Sequence, residues 1–142
     1  MKLTTVEKVI LLQRVDLFEE VPTRQLAYLA AVADEARLSS DEVVYREGDS
    51  SDGLYLVVEG EVVLEKDGRT ITVAGPDDAF GSWSLFDDEP RVVTATARVD
   101  SRVLKVAKDD FIDLLADHVK ITQGILRKMA QRMRGLLERT GG

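Results

Sequence analysis

The chain has 142 residues, 44% apolar and 32% charged, with no cysteine and a net charge of −7. That length supports one domain with its own core, and the composition excludes disordered and fibrous classes. Disulfides and thiolate metal sites are excluded too; with only short apolar runs and Glu7 preceding any signal-like stretch, nothing marks a membrane span or an export signal, so the expected setting is cytoplasmic.

The charge is uneven. Residues 118–142 carry +5, from Lys120, Arg127, Lys128, Arg132, Arg134 and Arg139 against Glu138, which leaves −12 on the rest. An acidic body repels polyanions, so nucleic acid is not an expected partner. The basic end reads most simply as a solvated helix face that also suits the negative pole of a helix dipole.

In chain order, Val6, Val9, Ile10, Leu11 or Leu12, Val15 and Leu17 recur at helical spacing as far as Phe18, and Pro22-Thr23 starts a second helix to about residue 33. After Leu38 the texture turns to β. Short runs rich in β-branched residues fall at 43–45, 54–58, 62–64, 70–73, 94–97 and 103–106. Gly48-Asp49, Glu59-Gly60, Asp67-Gly68 and Gly75-Pro76 punctuate them, and Asp-Gly supplies the positive φ of a tight hairpin. Strand spacing of about ten residues favours a sandwich or barrel.

Helical spacing returns at 109–116 and again, over a longer stretch, at 119–138. There Val119, Thr122, Leu126, Met129, Met133 and Leu136 alternate in steps of three and four, a seam of nearly three heptads. Such a stripe serves either packing on the chain's own barrel or self-association. Gly124 and Gly135 weaken an exposed helix by roughly 1 kcal/mol each, which favours packing.

Between Gly75 and Ala97 a loop with a short helical turn interrupts the strands. Gly81 lets a ligand approach the backbone, the helical turn presents free N–H groups, and Arg91 offers a planar fork of donors with a permanent charge. Together these describe a phosphate cradle. The same residues also fit a purely structural reading, in which Arg91 pairs internally with one of Asp77, Asp78, Asp87, Asp88 or Glu89.

Phe80-Gly81-x-x-x-Leu85 followed by Pro90-Arg91-Val92-Val93-Thr94 resembles the phosphate-binding cassette of the cyclic nucleotide-binding domain family. Leu17-Phe18, Arg46-Glu47-Gly48-Asp49, the run from Leu54 to Glu61 and the closing segment from Val103 to Phe111 are similar to that family in order and spacing. The resemblance covers about residues 7–137. It implies an α+β, mainly β fold: an eight-stranded jelly-roll β-barrel over 36–107, N-terminal helices over 1–35, a cassette with a short helix at 80–95 and C-terminal helices over 108–140.

By the same resemblance the ligand-binding residues are Phe80, Gly81, Ser82, Trp83, Ser84, Arg91, Val92 and Thr94, and the implied ligand is cAMP, with no metal or other cofactor. Arg91 matches the arginine that binds the cyclic phosphate and Leu85 a hydrophobic anchor, and a C-terminal helix closes over the base. Val92 stands where a threonine tends to favour cGMP, so cAMP is preferred. Ser82 occupies the position of the ribose-binding glutamate. Losing that charge-assisted hydrogen bond costs roughly 1.5–3 kcal/mol, or one to two powers of ten in affinity. Trp83 either caps the pocket or fills it.

Two functions follow. One is a regulatory sensor that signals nucleotide occupancy through its last helix, attached to a larger effector as in bacterial versions whose lead-in resembles Thr4 to Val9. The other is a domain of the same fold without a diffusible ligand, acting as an interaction or dimerisation module through 119–138. An enzyme is not expected: the lone His118 lies at a helix junction, and no set of converging metal ligands or nucleophile–base pair can be assembled around it. Nor does a helix-turn-helix follow the long helix before Gly142, so DNA reading by that route is not expected.

Overall fold

The computed structural model describes residues 2–139. Thr4 sets the first helix, α1 (Thr5–Gln13): its hydroxyl accepts the Glu7 N–H at 3.2 Å, and the Glu7 carboxylate accepts the Thr4 N–H at 2.9 Å. This reciprocal box satisfies two donors that a helix start leaves open. The helical spacing expected to run to Phe18 breaks at Arg14, and Asp16–Phe18 forms a separate 3-10 turn. Val15, Leu17 and Phe18 are all buried, which one continuous helix face cannot achieve. Helix α2 (Thr23–Val32) follows and buries Leu26, Leu29 and Ala30.

Eight strands come next: β1 (Ala33–Leu38), β2 (Val43–Tyr45), β3 (Gly53–Glu59), β4 (Val62–Lys66), β5 (Arg69–Ala74), β6 (Ala79–Phe80), β7 (Thr94–Ala97) and β8 (Ser101–Ala107). They form two antiparallel four-stranded sheets, β1-β8-β3-β6 and β2-β7-β4-β5, facing each other as a jelly roll. Helix α3 (Ser84–Asp87) interrupts the roll; α4 (Lys108–Asp117) and α5 (Val119–Arg139) close the chain. Strand β1 begins at Ala33, inside the stretch to residue 35 assigned from sequence to the N-terminal helices. Its sequence, Ala-Asp-Glu-Ala-Arg-Leu, has no strand preference of its own; antiparallel pairing with β8 makes it a strand. At the β4–β5 hairpin Asp67 and Gly68 take φ of 52° and 76°, the positive pair their sequence foretold.

The first sheet is buried on both faces. Alternate residues of β3 point opposite ways: Tyr55 and Val57 join Tyr45, Val62, Phe80 and Val103 inside the roll, while Leu54 and Leu56 join Phe18, Leu29, Phe111 and Ile121 beneath the helices. Helix α5 docks through Ile121, Gly124 and Ile125. A Cβ on Gly124 would lie 2.8 Å from the Glu20 carbonyl oxygen and from the Val21 Cα, so the glycine is what permits the contact. The seam read from sequence is therefore not the packing face: Val119, Leu126 and Met133 stay 63%, 58% and 65% exposed, and of that seam Met129 packs against the core.

Candidate functional site

Strand β6 delivers the cassette. Phe80 stacks on Tyr55 with ring centroids 5.1 Å apart and sits 6.1 Å from Tyr45, so it anchors the segment inside the roll. Gly81 follows at φ +81°, then Ser82, Trp83 and α3, whose Leu85 is buried as the anchor expected of it. Asp88 ends α3 in the left-handed conformation and its carboxylate pairs with Lys108 of α4. Further on, the Arg91 N–H donates to the Asp49 carbonyl at 2.7 Å and the Arg91 carbonyl accepts the Gly48 N–H at 2.8 Å, pinning the returning chain to the 46–49 turn.

The Arg91 side chain points inward and is 2% exposed. Its Nη1 donates to the Gly81 carbonyl at 2.9 Å; its Nη2 donates to the Gly53 carbonyl at 2.7 Å and meets Asp52 Oδ1 at 3.2 Å. The guanidinium lies over the Tyr45 ring, 3.9 Å from its centroid. The Nε atom is buried and has no partner among the described residues. The internal acid is thus Asp52, from outside the loop, and none of the five loop carboxylates. Four of those are engaged elsewhere: Asp77 pairs with Arg14 at 3.3 Å, Asp78 accepts the Gly75 N–H, Asp87 accepts the Glu89 N–H and Asp88 holds Lys108. Two of the five rim carboxylates, Asp77 and Asp88, are thus paired with cations.

Asp52 is the hub of the seat. Partial burial works against its charge, but hydrogen bonds from Lys105 at 2.8 Å, from the Tyr55 hydroxyl at 2.9 Å and from Arg91 outweigh it and hold the carboxyl below its usual range. Burial pushes the Tyr45 phenol up to about 12, against the opposing pull of Arg91, so the ring beneath the guanidinium stays neutral. Tyr55 and Lys105 fall within runs that resemble the family, but neither they nor Asp52 and Tyr45 were among the residues expected at the site.

Gly81 serves two ends: its φ disfavours any side chain, and a Cβ there would lie 2.7 Å from Arg91 Nη1. Gly81→Ala should displace the guanidinium and lower stability by about 1–2 kcal/mol. Chemical denaturation against the wild-type chain measures this.

Beside the cassette lies a cavity of about 440 Å³, lined among others by Ser82, Trp83, Leu64, Thr72, Asp16 and Arg132. That volume is within the range of small-molecule sites, about 300–1,000 Å³. Trp83 does not fill the interior; it is exposed on the cavity wall, with the Arg132 guanidinium 5.9 Å from its ring centroid. Arg132 also pairs with Asp16, and Lys128 reaches Asp16 at 3.2 Å and Glu19 at 3.0 Å, so α5 is tied to the 3-10 turn across the cavity's edge. Ser84 opens α3 and is half-buried. Val92 is exposed, and its N–H has no acceptor among the described residues. The Thr94 hydroxyl accepts the Glu47 N–H at 3.0 Å. Of the eight expected residues, Ser82 and Trp83 line the cavity, Gly81 and Arg91 are hydrogen-bonded to each other without lining it, and Phe80 and Thr94 hold the frame.

Two facing sheets with a turn-and-helix insertion that seats a buried arginine, and a cavity lined by part of that insertion, define a jelly-roll domain with a candidate ligand site. The chain belongs to the cyclic nucleotide-binding domain family, whose profile matches residues 35–118. It is 31% identical over 129 residues to a CRP-like cAMP-activated global transcriptional regulator of Mycobacterium tuberculosis, covering 87% of this chain and 58% of that protein; the chain thus spans little more than half of that relative's length. The crystal structure of the N-terminal domain of a transcriptional regulator from Streptomyces coelicolor matches with a TM-score of 0.82 and 31% identity, over 92% of this chain and 94% of that one. The regulatory domain of Toxoplasma gondii PKA, solved with cAMP, matches with a TM-score of 0.73 and 28% identity, over 78% of this chain and 44% of that one. The family is a regulatory, nucleotide-binding domain and not a catalytic one. No helix among the described residues is long and apolar enough to cross a membrane.

Proposed function

We propose that this chain is the ligand-sensing part of a larger regulator: it binds a cyclic nucleotide at the cassette, cAMP in preference to cGMP, and passes occupancy to an effector through α5. The observation that carries the reading is the unpartnered, buried Nε of Arg91. A buried donor left without an acceptor costs about 1–3 kcal/mol, and the exocyclic oxygen of a cyclic phosphate is an anionic acceptor that would satisfy it. The free Val92 N–H would add a second donor to that phosphate. Ser82 would meet the ribose, and Trp83 with Arg132 would border the base. Because Arg132 also grips Asp16, a base entering there changes the contacts that fasten α5 to the body.

Trp83 is the one tryptophan, so its emission reports the site directly. Titration with cAMP should give a saturable change, with cGMP weaker. Ser82→Glu restores the missing carboxylate, and the Kd for cAMP should tighten by roughly ten- to a hundredfold. No response in emission or in calorimetry, for wild type and Ser82→Glu alike, would reject the sensor.

A second reading rests on α5. Its exposed Val119, Leu126 and Met133 form the side of a heptad seam that the body leaves uncovered, which fits a homodimer through paired helices. Sedimentation should show a dimer that Leu126→Glu with Met133→Glu dissociates; a monomeric wild type at micromolar concentration would remove this reading.

A further inference from the structure

A groove of about 580 Å³ separates α3 from α4, lined by Leu85, Phe86, Asp88, Lys108, Asp109, Ile112 and Asp113. None of these residues lines the cavity at Ser82 and Trp83. Its floor is apolar: Leu85 is buried, whereas Phe86 and Ile112 stay 36% and 42% exposed. Its rim is acidic, and its cation, Lys108, is taken by Asp88.

Helix α4 carries Asp109, Asp110, Asp113 and Asp117 with Lys108 as its one basic residue. The positive pole of the helix accounts for Asp109 and Asp110 in the first turn. It does not account for Asp113, one turn further on. Like charges at i and i+4, as at Asp109 and Asp113, weaken a helix. Neither carboxylate has a hydrogen bond or ion pair among the described residues to offset this. Fold stability therefore does not explain the paired carboxylates, and although Phe86 packs one edge against Phe111, it and Ile112 still leave apolar surface open beside the acidic rim.

We propose that this groove docks a basic amphipathic helical segment of a partner protein. An apolar side chain of that segment would seat between Phe86 and Ile112. Lys or Arg residues one turn apart would face Asp109 and Asp113, whose own spacing is one helical turn. Charge complementarity selects this occupant: the body of the chain carries −12 outside its basic C-terminal stretch, so an acidic or neutral apolar segment gains nothing at this rim, and anionic membranes and nucleic acids are repelled. The proposal is independent of nucleotide binding.

The test uses a labelled synthetic peptide of alternating leucine and lysine in amphipathic helical register, followed by fluorescence anisotropy. Two control peptides replace lysine by glutamate and leucine by serine. Binding of the leucine–lysine peptide alone is expected. Asp109→Lys with Asp113→Lys should weaken it by roughly tenfold or more, and Ile112→Ser by several-fold without any change in charge. Asp34→Lys with Glu138→Lys, the same change in net charge at exposed positions elsewhere, should leave the Kd within about twofold. Thermal melts establish that each variant is folded. Equal weakening by both charge pairs, tight binding of the serine peptide, or no binding of the leucine–lysine peptide would each overturn the proposal. So would sedimentation showing self-association that Asp109→Lys with Asp113→Lys abolishes, because the basic α5 of a second copy would then be the occupant.

Discussion

Arg91→Ala should cost the chain both its ligand and part of its stability, and the two losses have separable causes. The guanidinium joins the carbonyls of Gly81 and Gly53, which belong to the cassette and to the start of β3, and places Asp52 and Tyr45 around the same centre. Removing it leaves two carbonyls without donors and a void over the Tyr45 ring, which should lower stability by about 2–3 kcal/mol. For a domain of this size that is a fall in Tm of roughly 5–10 °C. Binding of cAMP, followed by Trp83 emission, should weaken by about a hundredfold or more through loss of charge-assisted contacts to the phosphate.

Arg91→Lys separates the causes. A lysine keeps the charge but is a point donor that cannot bridge both carbonyls or stack on Tyr45 as a planar group. It should recover part of the affinity through Coulomb attraction and little of the stability. A variant with unchanged Kd and lowered Tm would make Arg91 a strut of the roll and nothing more, and its place as the phosphate ligand would fall.

How far the sequence reached depended on whether a feature was local. The strands from β2 to β5 were legible because their β-branched runs are bounded by residues with a defined turn geometry, as at Asp67-Gly68. Strand β1 was not, since helix-tolerant residues become a strand there only through pairing with β8. The cassette residues were legible through a pattern contiguous in the chain. Asp52 was hidden because its role exists only where β3, β8 and the cassette converge on Arg91. Helix α5 was read with the correct limits and the wrong buried face. Heptad spacing identified an apolar stripe, but Gly124, taken as a weakness, is the point at which the helix approaches the Glu20 carbonyl, and it turns Ile121 and Ile125 inward instead.

Phe111→Ala carries the largest expected loss of stability. Phe111 is fully buried, 6.3 Å ring to ring from Phe18 of the 3-10 turn and 5.8 Å from Phe86 of α3 in an edge contact. Truncating a buried phenylalanine costs about 3–5 kcal/mol, from lost transfer energy and from the cavity left behind. The loss should not spread evenly. Phe111 belongs to the core beneath the helices, while Tyr45, Tyr55 and Phe80 form the core inside the roll, and the strands of the first sheet, β1, β3, β6 and β8, carry residues of both. Amide hydrogen exchange in Phe111→Ala should therefore show protection falling most in α2, α4 and α5, less in β3 and β8, and least in β4 and β7 of the second sheet. Phe111→Leu, which refills most of the volume, should restore most of the protection. Because Phe86 rests on Phe111, the variant should also loosen α3 while leaving the Arg91 seat, built from the other core, in place. A uniform loss across both sheets would mean that the two cores open as one cooperative unit, and that α3 has no route to the helices separate from the roll.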